Sequence, residues 1–131
     1  MHDPVLNSLI RLIEKAPDVT TLWLYGSRAR GDHHSGSDYD LAILFREPVK
    51  DPLDRRLRPE EKALEWQSTL NLPEDRLSVV DLAIAPIPLG VSILEQGLLL
   101  VDKAPEVRIV LESRILSKWE IDYLYHQKRF G

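Results

Sequence analysis

Apolar residues recur three and four apart over residues 3 to 15. Val5, Leu6, Leu9, Ile10, Leu12 and Ile13 fall on one stripe, which predicts a helix with Asp3 as its cap and Pro4 in its first turn. Pro17 stops it. The stretch TTLWLY, 20 to 25, is β-branched and aromatic and reads as a strand ended by Gly26-Ser27. A short helical segment runs through Ser27 to Arg30, closed by Gly31, and DHHSGS is loop. Residues 39 to 45 alternate as a second strand, with Leu41, Ile43 and Phe45 facing away from Asp38, Asp40 and Ala42. Residues 46 to 58 are polar and read as a surface connection, and Pro59 with Glu60 and Glu61 opens a helix to about Leu70. LSVVDLAIA, 77 to 85, is a third strand carrying one charge, Asp81. PIPLG reads as a break, 91 to 96 as a short helix ended by Gly97, and LLLV as a short strand. Pro105 starts a final helix to about Lys128. This alternation predicts an α/β (α+β) arrangement, a small sheet flanked by helices.

Composition narrows the possibilities. The chain has 131 residues, 44% hydrophobic and 29% charged, which predicts one soluble domain over 1–131. Its net charge of −4 argues against broad electrostatic capture of nucleic acid, so no direct nucleic-acid binding is expected. With no cysteine, thiolate metal sites and thiol nucleophiles are excluded. The N-terminus lacks signal-peptide features and no apolar stretch reaches membrane-spanning length, so a cytoplasmic location and no membrane partner are expected.

The chemistry concentrates in GSRARGDHHSGSDYDLAIL, residues 26 to 44. Asp38 and Asp40 share a strand face, where like charges repel unless a cation sits between them. Asp81 lies in a different apolar strand, where a charge is costly unless paired or metal-bound. If those strands are neighbours, three carboxylates converge, and oxygen-only ligands suit Mg²⁺ or Mn²⁺. Gly26 allows backbone to approach a ligand, Ser27 offers a hydroxyl and an N–H, and Arg28 and Arg30 are placed to neutralise phosphate, Arg30 equally to cap the short helix against solvent. A phosphate turn beside acids for magnesium is what a nucleoside triphosphate requires. Each feature alone has an ordinary explanation: a turn, a solvated strand end, an ion-paired acid. Their order and spacing carry the weight.

Gly26-Ser27, a ten-residue spacer, Asp38-x-Asp40 and the later Asp81 resemble the nucleotidyltransferase superfamily that includes DNA polymerase beta. The compact form, GSRARG leading into SDYDLAIL and then VVDL, is most similar to the minimal nucleotidyltransferase (MNT) proteins. The resemblance runs from about Leu22 to Val101, with Tyr39 as a mild departure where a small aliphatic residue is more usual. It implies a small mixed sheet flanked by helices. It also implies a Mg²⁺-dependent enzyme using ATP, with Asp38 and Asp40 bridging two ions and Asp81 binding the ion that activates the acceptor. Finally, it implies an antitoxin that transfers AMP to a tyrosine of a HEPN-domain ribonuclease toxin. Two alternatives stay open: an antitoxin that acts only by covering its partner, and a small-molecule nucleotidyltransferase resembling antibiotic-modifying enzymes.

Other residues get more ordinary assignments. His33 and His34 read as solvated loop, with transient ligand contact second, and Arg55, Arg56 and Arg58 as a solvated basic segment or a rim for the triphosphate or a partner. Trp23 and Tyr25 read as core and pocket wall, and Trp66 and Trp119 as packing. Tyr123, Tyr125 and Phe130 near the C-terminus are candidates for partner contact.

Overall fold

The computed structural model describes residues 3–124. Asp3 caps α1 (Pro4–Lys15) by accepting from the Val5 and Leu6 N–H groups. There follow β1 (Val19–Tyr25), α2 (Ser27–Arg30), β2 (Tyr39–Phe45), α3 (Pro52–Thr69), β3 (Leu77–Asp81), α4 (Ile87–Gln96), β4 (Leu98–Asp102) and α5 (Pro105–Lys118). A wider, π-type turn of helix continues over Trp119–Leu124.

The four strands form one mixed sheet in the order β3-β2-β1-β4. β1 runs antiparallel to β2 and β4, and β3 lies parallel to β2. The alternation read from the sequence divides the core in two. Leu41 and Ile43 of β2, with Leu22 and Leu24 of β1, pack with Leu9 and Ile13 of α1 and Trp66 of α3. Ala42 and Leu44, with Trp23, face the other way onto Val91 and Ile93 of α4 and Ile115 of α5, with Trp119 alongside. Each face of the sheet therefore has its own helical cover.

Three boundaries differ from the sequence reading, each for a local reason. α3 begins at Pro52, not Pro59: Asp51 accepts from the Leu53 N–H and Pro52 occupies the first turn, an equally good start seven residues upstream. Pro59 is carried, buried, inside that helix. α4 begins at Ile87, so the prolines of PIPLG start a helix where a break was expected. β3 ends at Asp81 rather than at residue 85, because the Asp81 carboxylate accepts from the Ala83 N–H at 2.9 Å and its carbonyl from the Ile84 N–H at 3.1 Å. That is a side-chain-closed turn. The predicted extension of the last helix to Lys128, with Tyr125 and Phe130 and the side chain of Tyr123, lies outside the described residues.

Candidate functional site

The site is built where β1 ends and β2 begins. Antiparallel pairing sets Tyr25 opposite Asp40, so the turn at Gly26 passes directly over the Asp40 side chain. Gly26 has φ +73°, and a Cβ there would overlap the Asp40 Oδ2 and stand 3.1 Å from its Cγ. Only glycine satisfies both the dihedral and the space. The Gly26 carbonyl accepts from Ala29 and Arg30, which folds α2 immediately after the turn and fixes Ser27 at its start.

Asp38 is exposed just before β2, and Asp40, half-buried, follows on the same face. Burial pushes the Asp40 carboxyl above its ordinary value, the Asp38 charge adds to the rise, and Arg30 opposes it. Burial and Asp40 together raise the Tyr25 hydroxyl, so the ring predicted as pocket wall stands against the acid. The two carboxylates form an oxygen-only donor set, with the exposed Arg30 guanidinium near them. That set fits a hard divalent cation, with remaining ligands from phosphate.

Arg28 is not part of this set. It was predicted to bind phosphate, but it is buried, and its guanidinium donates to the Ser37 carbonyl from Nε (3.1 Å) and Nη2 (2.8 Å). It also reaches the His34 and Ser35 carbonyls and pairs with Asp3 at 3.5 Å. Its donors are committed to holding the 32–38 loop against the start of α1. Tyr39, the departure between the acids, completes this cluster: its ring lies 3.9 Å under the Arg28 guanidinium and its hydroxyl donates to Asp3. Burial and the Asp3 contact push that hydroxyl up to about 12. One aspartate thus caps α1 and anchors the loop that presents Asp38. Replacing Arg28 with Ala is expected to cost at least about 1–3 kcal/mol, the cost of one buried group left unsatisfied. Urea unfolding measures this.

Asp81 does not join the acids either. The parallel register pairs Asp40 with Ser78 and Ile43 with Asp81, three residues further along. An odd offset turns a side chain to the opposite face, and three residues span about 10 Å. Ile43 faces α1 and α3, and the charges acting on Asp81 are accordingly Arg58 and Arg55 of α3. Among the described residues, no group of three or more His, Cys, Asp or Glu is placed to hold a metal. Asp81 is a turn-former whose carboxyl is raised by burial, against the pull of the Ala83 N–H and those two arginines.

The sign of its effect on stability follows. A carboxyl with a raised folded-state pKa binds more protons folded than unfolded, so its contribution falls as pH rises from the ordinary value near 3.8 through the folded one. Asp81→Asn keeps an acceptor for Ala83 and is expected to raise the melting temperature at pH 7 more than at pH 4. Nucleotide and metal binding should stay unchanged.

Of the remaining candidates, Arg55, Arg58 and His34 make structural contacts. Arg55 and Arg58 sit on α3, where they donate to the Val49, Lys50 and Glu47 carbonyls, and Arg58 stacks 3.7 Å over Phe45. Phe45 and the acids occupy opposite ends of β2, about 20 Å apart, so these arginines are no rim for a triphosphate at Asp40. Arg56 is exposed on the same helix. His34 Nδ1 accepts from the Gly36 N–H within the loop, while His33 Nδ1 is enclosed without a hydrogen-bond partner. No sequence signal pointed to the Asp3-Arg28-Tyr39 cluster, because its members are brought together only by the packing of α1 across the sheet.

A glycine-serine turn seated on an Asp-x-Asp strand, within a mixed sheet covered on both faces, defines the class of the nucleotidyltransferases. The chain belongs to the family described as polymerase beta, nucleotidyltransferase, whose model matches residues 7–106. No curated protein gives a significant match to the sequence. Among solved structures, the chain is similar to one of a toxin–antitoxin with AMP-PNP, at 22% identity and a TM-score of 0.69, covering 99% of this chain and 96% of that one. It is similar as well to a tri-AMPylated Shewanella oneidensis HEPN toxin in complex with MNT antitoxin, at 21% identity and a TM-score of 0.66, covering 96% and 92%. An MntA–HepT toxin–antitoxin structure matches at 21% identity with a TM-score of 0.65, covering 96% and 93%. At these identities the likeness establishes the fold.

Proposed function

We propose that this chain is an MNT-type antitoxin that transfers AMP from ATP to a tyrosine hydroxyl of a cognate HEPN-domain toxin. The observation that carries the reading is the seating of the Gly26-Ser27 turn on Asp40, with Asp38 alongside, inside a polymerase beta-type fold. The likeness to solved toxin–antitoxin structures, one with AMP-PNP and one with an AMPylated toxin, supports the choice of nucleotide and partner.

In this reading Gly26 admits the triphosphate close to the backbone, and the Ser27 hydroxyl and Arg30 bind phosphate oxygens. Asp38 and Asp40 hold Mg²⁺, or Mn²⁺ in its place. The ion, when bound, neutralises charge on the phosphates and polarises the transferring phosphorus. The tyrosine oxygen attacks the α-phosphorus, the α–β phosphoanhydride bond breaks, and pyrophosphate leaves with that electron pair. The tyrosine proton passes to solvent.

We further assign 1–131 to a single minimal nucleotidyltransferase domain that takes its acceptor from the partner. α5 would be the contact, since Val107, Ile109, Val110 and Leu116 stand exposed on it. Among the described residues no helix is long and apolar enough to cross a membrane. Incubation with α-³²P-ATP and the HEPN protein tests the assignment: label should pass to the partner's tyrosine. Label on a small molecule, or on nothing, would contradict it.

A further inference from the structure

The site holds two carboxylates where the chemistry of two-ion transfer calls for more. In such transfer one ion escorts the triphosphate and a second activates the attacking hydroxyl. Asp38 stands at the entry to β2 and Asp40 within it, so the strands paired with β2 are the nearest source of a further protein ligand on that face. β2 has two neighbours, and Tyr25 of β1 is the residue opposite Asp40 on one side. On the other side stands Ser78 of β3, in register with Asp40 and therefore on its face. Ser78 is exposed, and the described residues supply no third His, Cys, Asp or Glu to this cluster.

The nearest acid along β3, Asp81, is both three residues too far and on the wrong face, its carboxylate closed onto the Ala83 N–H. No small adjustment brings it over, because an odd step in register turns every side chain of the strand to the other side of the sheet. Leu77 and Val79, which flank Ser78, are buried in the core and pin that register.

We propose that Ser78 occupies the third-ligand position of the metal site, so that this chain binds tightly only the ion arriving with the triphosphate and engages a second ion weakly. The inference rests on the nucleotidyltransferase reading and deepens it. An ion escorting a nucleotide needs one or two carboxylates, with phosphate oxygens as its other ligands. A second ion would share the charges of Asp38 and Asp40 with the first and gain only a neutral hydroxyl from Ser78. Transfer should then demand a higher free divalent concentration than nucleotide binding does.

The test counts bound Mn²⁺ by electron paramagnetic resonance in the presence of a non-hydrolysable ATP analogue. Wild type and Ser78→Ala are expected to bind one ion tightly, and Asp40→Asn none. Ser78→Asp, checked for folding by circular dichroism and melting, is expected to gain a second tight ion, with at least a tenfold drop in its dissociation constant. Two tight ions in the wild type would overturn the inference without any variant. So would a folded Ser78→Asp that still holds one. Failure of the wild type to bind any Mn²⁺ with the analogue would instead overturn the nucleotidyltransferase reading, and this inference with it.

Discussion

Asp40→Asn is expected to abolish AMP transfer while making the ligand-free protein more stable. Asp40 is half-buried and its carboxyl is raised first by that burial and then by Asp38, so its ionised form is a net cost to the empty fold. Asparagine has the same shape and no charge, and the turn at Gly26 can seat on it unchanged. At pH 7 the variant should therefore melt higher than wild type. Toward pH 4 the gap should close, because the aspartate regains its proton more readily in the folded state. Transfer should fall by at least about 10²–10³-fold, the order seen when one preorganised charge-stabilising group is removed from an active site. Added Mg²⁺ with ATP should raise the melting point of wild type and not of the variant. The opposed signs matter: a merely structural aspartate would lose stability and activity together.

Gly26→Val carries the second large effect. A β-branched residue at φ +73° is strained by about 1–3 kcal/mol before any contact is counted. Its Cβ would also overlap the Asp40 carboxylate, the group proposed to hold the metal. Since β1 and β2 are pinned by pairing on either side of the turn, the side chain of Asp40 is the part that yields. The variant should unfold at lower urea and lose measurable Mg·ATP binding by calorimetry. Combining it with Asp40→Ala should recover part of the stability, because the clash goes while the dihedral strain stays, and should recover no binding. Gly31 offers the control. It also has a positive φ, +84°, but nothing stands within 4 Å of its missing Cβ, so Gly31→Ala should cost stability alone.

The turn and the acid pair were legible in the sequence because they are local. Gly26-Ser27 follows a β-branched run, Asp38 and Asp40 alternate with core residues, and one hairpin-like pairing of β1 with β2 brings them together. The helices on α1 and α5 were equally plain from their starting prolines. What sequence could not show was register across strands that are distant in the chain. Whether Asp40 meets Ser78 or Asp81 depends on how Leu77 and Val79 seat against Tyr39 and Leu41, and that choice is made by packing with α3. Arg28 departs from its expected role for a related reason. Beside a phosphate turn its charge suggested a ligand contact, but the fold delivers Asp3 and three loop carbonyls to it. Tyr39, a departure from the usual small residue, then has a use as the plate under that guanidinium.

The central claim is that the pair Asp38 and Asp40 transfers AMP to a partner's tyrosine, and that this modification is what silences the partner. Intact-mass spectrometry of the HEPN protein coexpressed with this chain tests it most directly. Mass increments of whole AMP units are expected on the HEPN protein with wild type, localised to tyrosine by fragmentation, and none with Asp40→Asn, whose cells should stop growing. An unmodified HEPN protein in cells that wild type protects, or equal protection by Asp40→Asn, would contradict it.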